Sequence, residues 1–249
     1  MPIKLIHEAF SFLGNAKRSF LKNRKLSELR KFYHPIIIRR NAADDVAFQQ
    51  VFLTKNYQIG ELGFKPRSIV DVNAYVGYSS MYFNSVYPEA RIACIEANAS
   101  NFATLQKNTQ YIPAITRFTN CLWSEAAEVQ INDLRSVNQG IWIERTANET
   151  PTKSITIDQI LNDKNWKEID ILKIDLSGSG IDVFVSNFET WIHLVRIFIL
   201  ENSNHWKTGT LDIFLKSIKD LKFKKTQCGQ SIVFIKEEEE IEEFEEEQE

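Results

Sequence analysis

The chain has 249 residues, 43% of them hydrophobic, and a formal net charge of −3 at pH 7. This length suits one sizeable α/β domain with a short extension. The chain contains no apolar run near the roughly 20 residues of a membrane-spanning helix, and its first residues make a poor signal peptide. Three widely spaced cysteines, Cys94, Cys121 and Cys228, favour buried thiols over a disulfide framework or a zinc site. We therefore predict a cytoplasmic protein and assign no metal ligands.

Charge is distributed unevenly along the chain. Residues 1–40 carry ten lysines and arginines against two glutamates, whereas residues 237–249 carry ten glutamates and no base. We predict a basic helical extension over 1–60, a main domain over 61–236 and a disordered acidic tail over 237–249. The basic segment 17–31 leaves open a weak contact with a membrane surface, but nothing in it marks the reading of bases, so we predict no nucleic-acid partner.

A strand, a turn and a helix open the first half of a nucleotide-binding unit. The strand ends in Asp71, and the helix begins just after Gly77. A second strand, over residues 91–96, ends in another acid, Glu96. In a doubly wound sheet the ligand lies over the strand ends, and the second acid accepts hydrogen bonds from ribose hydroxyls. These residues therefore predict a nucleotide site at the carboxyl edge of the sheet.

Helices and strands alternate along the rest of the chain. The strand segments are apolar on both faces, which indicates a central parallel sheet covered by helices. Between residues 124 and 153 the sequence is polar, with only short β-like pieces. A final pair of strands predicts an antiparallel hairpin, and a mainly parallel sheet closed by such a hairpin is typical of the S-adenosylmethionine-dependent methyltransferase fold. The predicted elements after Glu96 are a helix over 98–109, strands over 115–123, 170–175 and 196–201, and a hairpin over 222–236 around Gly229.

Four segments, at residues 39–52, 69–80, 93–102 and 154–161 with 169–175, occur in a fixed order. In this order they resemble those of the FkbM-type methyltransferases, over about residues 36–205. The resemblance implies a Rossmann-like class I methyltransferase fold, an α/β architecture with a mainly parallel seven-stranded sheet, helices on both faces and a C-terminal antiparallel hairpin. It also implies S-adenosylmethionine as the cofactor. The matched segments are the family's lead-in helix (39–52), its glycine loop (69–80), the segment with the ribose-binding acid (93–102) and the late signature, Ser-Ile-Thr-Ile-Asp-Gln-Ile-Leu (154–161) followed by Ile-Asp-Ile-Leu-Lys-Ile-Asp (169–175).

Two motifs depart from the family's pattern. The glycine loop, normally Asp-x-Gly-Ala-Asn-x-Gly, reads Asp-Val-Asn-Ala-Tyr-Val-Gly, with Asn73 in place of glycine and Tyr75 in place of asparagine. Asparagine adopts the left-handed conformation more readily than most residues, whereas the Tyr75 ring either stacks on the cofactor or occupies its place. After Asp175, Ser177 and Gly180 replace the family's two glutamates. These positions are where the site of this chain differs from the family's.

The candidate site residues lie at or near the strand ends. Asp175 is the candidate catalytic residue, since its carboxylate could take a proton from a hydroxyl nucleophile, help hold a divalent cation, or only cap the next helix. Glu201 and His205 could complete a polar site with Asp175, and we expect Lys173 to pair structurally. Asp71 could instead only cap its turn, and Trp123 either lines the adenine pocket or belongs to the core. The candidate cofactor-binding residues are Asp71, Asn73, Tyr75, Gly77, Glu96, Asn98 and Trp123.

Methyl transfer from an activated sulfonium requires alignment, exclusion of water and one base, so few catalytic acids are needed. We predict an S-adenosylmethionine-dependent O-methyltransferase that acts on a hydroxyl of a small molecule or of a glycan sugar. The alternative is a catalytically inactive pseudo-methyltransferase that serves as a binding or scaffold protein. A nicotinamide-dependent oxidoreductase is disfavoured, because only Gly77 of its three-glycine fingerprint is present.

Overall fold

A computed structural model describes residues 36–39, 42–54, 56–133, 141–145, 151–176, 178–201 and 209–237. The predictions for the basic segment 17–31, for Ser177 and His205, and for the acidic tail beyond Glu237 lie outside these residues. In the described ranges the longest helices have 11 residues, which is too short to cross a membrane.

The helices and strands alternate as the sequence predicts, except between the third and fourth helices, where five strands follow one another. The helices are α1 (Ala42–Phe52), α2 (Tyr78–Val86), α3 (Ala99–Thr109), α4 (Ile157–Lys164) and α5 (Thr210–Ser217), with 3₁₀ turns at Gly178–Phe184 and Ile192–Leu194. The strands are β1 (Ser68–Val72), β2 (Arg91–Ile95), β3 (Ile115–Phe118), β4 (Cys121–Leu122), β5 (Glu128–Asp133), β6 (Ile141–Arg145), β7 (Thr152–Ile155), β8 (Ile169–Asp175), β9 (Val195–Glu201), β10 (Phe223–Cys228) and β11 (Ser231–Lys236).

The central sheet has seven strands in the order β10-β11-β9-β8-β1-β2-β3. Strands β9, β8, β1, β2 and β3 are parallel, whereas β11 is antiparallel to both β9 and β10. This arrangement confirms the predicted class I methyltransferase fold with its C-terminal hairpin. The turn of the hairpin requires Gly229, which has a φ of 57° and lies against Asn56, so a side chain there would collide.

Alternate residues of the central strands enter two separate hydrophobic cores. Val70, Leu172 and Phe198 lie in the core that α4 and α5 cover. Ile69 and Ile171 lie in the core that α1, α2 and α3 cover. Because successive side chains of a strand point to opposite faces, a strand covered by helices on both faces is mainly apolar, and the polar side chains that it buries need partners. This requirement explains the continuous apolar runs in the sequence.

The core on the α1 side also includes residues from the predicted extension. Ile36, Phe48 and Tyr57 are buried there, in the same cluster as Ile69. The segment 36–39 is held by hydrogen bonds from Ile37 N to Asn108 Oδ1, at 2.7 Å, and from the Tyr78 hydroxyl to Ile37 O, at 3.0 Å. The main domain therefore draws part of its core from residues before position 61.

The predicted third strand, over 115–123, is divided between two sheets, so its prediction as one strand is wrong. Its first half is β3 of the central sheet, and its second half is β4 of a four-stranded sheet in the order β4-β7-β5-β6. The chain changes sheets at Asn120, whose side chain donates to Lys153 O at 2.9 Å. The β-like pieces of the polar segment thus pair into a sheet that their local sequence did not reveal, because the sheet also requires β4 to pair with β7, which lies far from it in the chain.

Candidate cofactor and acceptor site

The turn after β1 has an unusual backbone, and two of its residues depart from the family's sequence pattern. Asn73, Tyr75 and Gly77 all have positive φ, at 53°, 54° and 89°. The family's pattern places glycine, asparagine and glycine there, which are the residues that adopt this conformation most readily. A side chain at Gly77 would also meet Thr109 of α3, with its Cβ 3.0 Å from Cγ2. The loop therefore has a left-handed backbone at two non-glycine positions, and Tyr75 suits this conformation less well than Asn73.

Asp71 lies beneath this turn and is fully buried. Its Oδ2 accepts hydrogen bonds from the hydroxyls of Ser79 and Ser80, both at 2.6 Å, and its Oδ1 lies 3.3 Å from Lys173 Nζ. These contacts tie the end of β1 to the first turn of α2 and to β8. In this structure Asp71 therefore holds the loop in position.

Lys173 is the cation at the centre of the strand ends. Its side chain is only 2% exposed, and its Nζ donates to Val72 O at 3.0 Å and to Asn73 O at 3.3 Å. The same Nζ lies 3.3 Å from Glu201 Oε1. Burial acts to lower the pKa of Lys173, but the carboxylates of Glu201 and Asp71 raise it above its usual range. The ammonium therefore stays charged and pairs structurally, as the sequence predicted.

Two carboxylates lie side by side at the ends of β8 and β9, near Lys173. Asp175 ends β8 and is paired in register with Glu201, which ends β9. The Glu201 side chain is 29% exposed, and its Oε1 accepts a hydrogen bond from the Tyr57 hydroxyl. This hydroxyl and Lys173 fix one oxygen of the carboxylate. The predicted polar pair of Asp175 and Glu201 is thus present, whereas Tyr57 was not singled out in the sequence.

Glu96 lies on the other side of the turn, just beyond β2, and is 7% exposed. Its Oε2 accepts from Tyr75 N at 2.9 Å, and its Oε1 accepts from Asn98 N at 2.9 Å. The Asn98 side chain caps α3, accepting from Ser100 N at 3.0 Å and Asn101 N at 3.1 Å. Backbone donors from the loop and from the start of α3 therefore orient the carboxylate that the sequence assigns to the ribose.

The Tyr75 ring is bound to the lead-in segment ahead of β1. Its hydroxyl donates to Asp44 Oδ1 at 2.7 Å, and the Arg39 guanidinium lies 5.1 Å from the ring centroid. Arg39 also pairs with Asp44 at 2.8 Å and donates to Asn101 Oδ1 at 3.0 Å. Burial and the bond to Asp44 raise the pKa of Tyr75 to about 12, so the phenol stays protonated as a donor.

Burial acts to raise the pKa of Asp44, but the bonds from Arg39 and Tyr75 lower it below its usual range. Together, Arg39, Asp44 and Tyr75 form a clasp that joins α1 to the glycine loop, which we call the Tyr75 clasp. Neither Arg39 nor Asp44 was identified as a site residue from the sequence. Both lie inside the segment that resembles the family's lead-in helix, but nothing local to them indicates a contact with residue 75.

Gly180 lies against the backbone of the proposed acceptor side. A Cβ at this position would be 2.0 Å from Asp175 O, closer than any real contact allows. The family has a glutamate here, so the turn after β8 has a conformation that excludes the family's own residue. The backbone at Gly180 therefore leaves no room for a side chain.

We predict that Gly180→Ala lowers the free energy of unfolding by about 1–3 kcal/mol, the usual cost of overpacking a tight contact. Gly63→Ala is the matched control, because nothing lies within 4 Å of a Cβ built there and its φ is not in the left-handed region. We expect the control to stay within about 0.5 kcal/mol of the wild type in urea unfolding. Equal stabilities for the two variants would contradict the close approach at Asp175.

Trp123 follows β4 and is half-buried. Its Nε1 donates to Asp182 Oδ2 at 3.4 Å, and its backbone N donates to Ile155 O at 3.1 Å. These contacts place Trp123 between the second sheet and the 3₁₀ turn that follows β8.

Among the residues that the structure describes, no group of three or more His, Cys, Asp or Glu side chains is placed to hold a metal ion.

A family model described as the methyltransferase FkbM domain matches residues 63–232. The chain belongs to the FkbM methyltransferase family. This match confirms the resemblance found in the sequence, and with it the predicted cofactor of the family, S-adenosylmethionine. No curated protein matches the chain.

The chain is also similar to solved methyltransferase structures. For the methyltransferase FkbM from Methylobacillus flagellatus KT the identity is 16% and the TM-score 0.49, over 73% of this chain and 47% of that chain, or about half its length. Precorrin-6y C5,15-methyltransferase from Geobacter metallireducens GS-15 gives 12% and 0.43, over 84% and 96%. Aeropyrum pernix fibrillarin, solved with natively bound S-adenosyl-L-methionine, gives 10% and 0.40, over 72% and 70%. Because these scores lie below 0.5, the family assignment rests on the family model.

Proposed function

We propose that this FkbM-family protein is an S-adenosylmethionine-dependent O-methyltransferase that acts on a hydroxyl of a small molecule or of a glycan sugar. The observation that carries the proposal is the distribution of acids along the carboxyl edge of the sheet. Glu96 lies beyond β2 on one side of the glycine loop, and Asp175 and Glu201 end β8 and β9 on the other side. A cofactor half and an acceptor half therefore flank the same loop.

The residues on the cofactor side fit a nucleoside. Glu96 is held by two backbone N–H groups in a fixed orientation, and a carboxylate so placed can accept hydrogen bonds from ribose hydroxyls. Asn73, Tyr75 and Gly77 supply the left-handed backbone that allows close approach of a ligand. We propose positioning roles for Asp71, which anchors the loop, and for Asn98, which caps α3, and a place for Trp123 in the wall of the adenine pocket.

The residues on the acceptor side fit a hydroxyl nucleophile. The sulfonium methyl of S-adenosylmethionine is already activated when it binds, so the protein has to align the acceptor oxygen, exclude water and receive one proton. We propose that Asp175 is the catalytic residue that contacts the acceptor hydroxyl. Lys173 holds the loop carbonyls and the neighbouring Glu201 in register, which keeps the two halves of the site at a fixed separation.

The proposed setting is the cytoplasm. None of the three cysteines forms a disulfide, and Cys94 and Cys121 are buried. Free, buried thiols are typical of a reducing compartment. Burial raises the pKa of Cys121 to about 12, so this thiol has little thiolate character at neutral pH.

Titration calorimetry with S-adenosylhomocysteine tests the proposal, and the departures at Asn73 and Tyr75 sharpen the test. We expect the wild type to bind S-adenosylhomocysteine. The double variant Asn73→Gly, Tyr75→Asn should bind it more weakly by about 0.5–1.5 kcal/mol, because it loses the contact of the Tyr75 ring with the ligand and also the Tyr75 clasp. Tyr75→Phe is the matched control for the clasp, since it removes only the hydroxyl that donates to Asp44.

The opposite result favours the alternative function. If the wild type shows no binding at millimolar ligand and the double variant binds, the Tyr75 ring occupies the cofactor's place. The protein would then be a pseudo-methyltransferase that serves as a binding or scaffold protein. Two observations favour this second function: Tyr75 and Gly180 both depart from the family's pattern within the proposed site.

A further inference from the structure

One oxygen of the Glu201 carboxylate is fixed by the protein. The Tyr57 hydroxyl donates to Oε1, and Lys173 Nζ lies 3.3 Å from the same atom. Within the part of the chain that the structure describes, Oε2 has no hydrogen-bond partner, and the side chain is 29% exposed. A part-exposed carboxylate that is oriented through one oxygen is arranged like a general base held by supporting groups.

The position of Glu201 places its carboxylate on the acceptor side of the sheet. Glu201 and Asp175 are register partners on adjacent parallel strands, so their side chains leave the same edge. Lys173, on β8, also contacts the carbonyls of Val72 and Asn73 in the glycine loop. The same cation thus positions Glu201 and the loop over which the cofactor is expected to lie.

We propose that Glu201 receives the proton of the acceptor hydroxyl, while Tyr57 and Lys173 position Glu201 and Asp175 contacts the same hydroxyl. This inference rests on the proposed O-methyltransferase function and assigns the base within it. The acceptor oxygen forms its bond to the methyl carbon as the carbon–sulfur bond breaks and leaves its electron pair on sulfur. The hydroxyl proton moves to Glu201 Oε2, so the step needs no further reactant.

The charges around Glu201 favour this division of roles. Burial raises the pKa of Glu201, and the charges of Asp175 and Asp71 raise it further, against the lowering by Lys173 and by the Tyr57 hydrogen bond. These groups come from β8, from β1 and from the segment before β1. A carboxylate with a raised pKa is a stronger base than an ordinary glutamate, which suits Glu201 to receive the proton.

The test uses the whole protein and needs no acceptor. Glutamate labelled with ¹³C at its carboxyl is incorporated, and Glu201→Gln identifies the resonance of Glu201 by its loss. Its titration midpoint is measured with bound S-adenosylhomocysteine and with bound sinefungin, an analogue that carries an amine in place of the sulfonium methyl. Glu89 serves as the control, and its resonance is identified in the same way through Glu89→Gln. It is exposed and pairs with Arg67 near the amino-terminal ends of β1 and β2, away from the proposed site.

We expect the midpoint of Glu201 to lie above that of Glu89, and to shift downward with sinefungin, whose ammonium would stand where the methyl group leaves. Asp175→Asn should also lower the midpoint, because it removes a neighbouring negative charge. Tyr57→Phe should raise it, because a hydrogen bond to the ionised form is lost. A merely structural carboxylate would not distinguish sinefungin from S-adenosylhomocysteine.

The experiments distinguish a failure of the proposed methyltransferase function from a failure of the Glu201 assignment alone. If the wild type binds neither ligand in calorimetry, the proposed methyltransferase function is contradicted and the assignment of Glu201 falls with it. If both ligands bind and the midpoint of Glu201 is the same with each, the function stands and Glu201 does not face the transferred methyl group. A midpoint equal to that of Glu89 likewise overturns the assignment.

Discussion

Replacement of Lys173 by methionine is expected to lower the free energy of unfolding by about 3–5 kcal/mol, the range for breaking a buried ion pair by removing one partner. The substitution keeps most of the side-chain volume but removes the charge between Asp71 and Glu201. Asp71 is fully buried, so its carboxylate would remain without a counter-charge. The carbonyls of Val72 and Asn73 would each lose a donor as well. Urea unfolding followed by circular dichroism measures the change.

Arg67→Met is the matched control for this experiment. Arg67 pairs with Glu89 at 2.7 Å, but the two side chains are 63% and 57% exposed. Exposed pairs of this kind contribute about 0–1 kcal/mol, because water and salt screen them. We therefore expect the control to change stability little. A Lys173→Met variant as stable as Arg67→Met would show that the ion pairs at the strand ends do not hold the loop.

Replacement of Glu96 by alanine is expected to weaken S-adenosylhomocysteine binding by about 1.5–3 kcal/mol, or roughly ten- to hundredfold. The reason is the loss of a fixed carboxylate that is proposed to accept hydrogen bonds from the ribose. Tyr75 N and Asn98 N, which orient this carboxylate, would lose their acceptor in the same variant. Calorimetric titration of both proteins with the same ligand gives the difference directly.

Glu96→Gln separates the two contributions to this loss. Glutamine keeps an oxygen that can accept from the backbone N–H groups, but it lacks the charge that strengthens a bond from a ribose hydroxyl. We expect its affinity to lie between those of the wild type and Glu96→Ala. Glu89→Ala, at an exposed position, should bind as the wild type does. If the wild type binds and Glu96→Ala binds equally well, the ribose assignment is wrong.

The elements of the central sheet could be predicted because their signals are local. A strand buried on both faces is mainly apolar, and β1, β8 and β9 each have a majority of apolar residues. Gly77 and Gly229 mark turns with positive φ, and Asn98 caps the helix that follows it. The acids at the strand ends follow from chain order as well, since parallel strands bring their carboxyl ends to one edge. The sequence also predicted the family, through matched segments in a fixed order.

The second sheet was not predicted, for the opposite reason. Its strands are short, and they pair across intervals that the local pattern does not record, as when β4 pairs with β7 and β5 pairs with both β6 and β7. A short strand gains its stability from partners, so its own sequence carries little of the information. The predicted strand over 115–123 was not divided for the same reason. Its first half pairs with β2 and its second half with the distant β7, and the local sequence does not record this change of partner.

The sequence by itself thus determined the fold class, the cofactor of the family and the acids at the sheet edge, because strand periodicity, turn conformation and motif order are properties of neighbouring residues. Only the tertiary structure decided what those acids touch. The Tyr75 ring is held by Asp44, and Lys173 joins Asp71 to Glu201. Such contacts join residues far apart in the chain and depend on how the elements pack, so local sequence does not encode them.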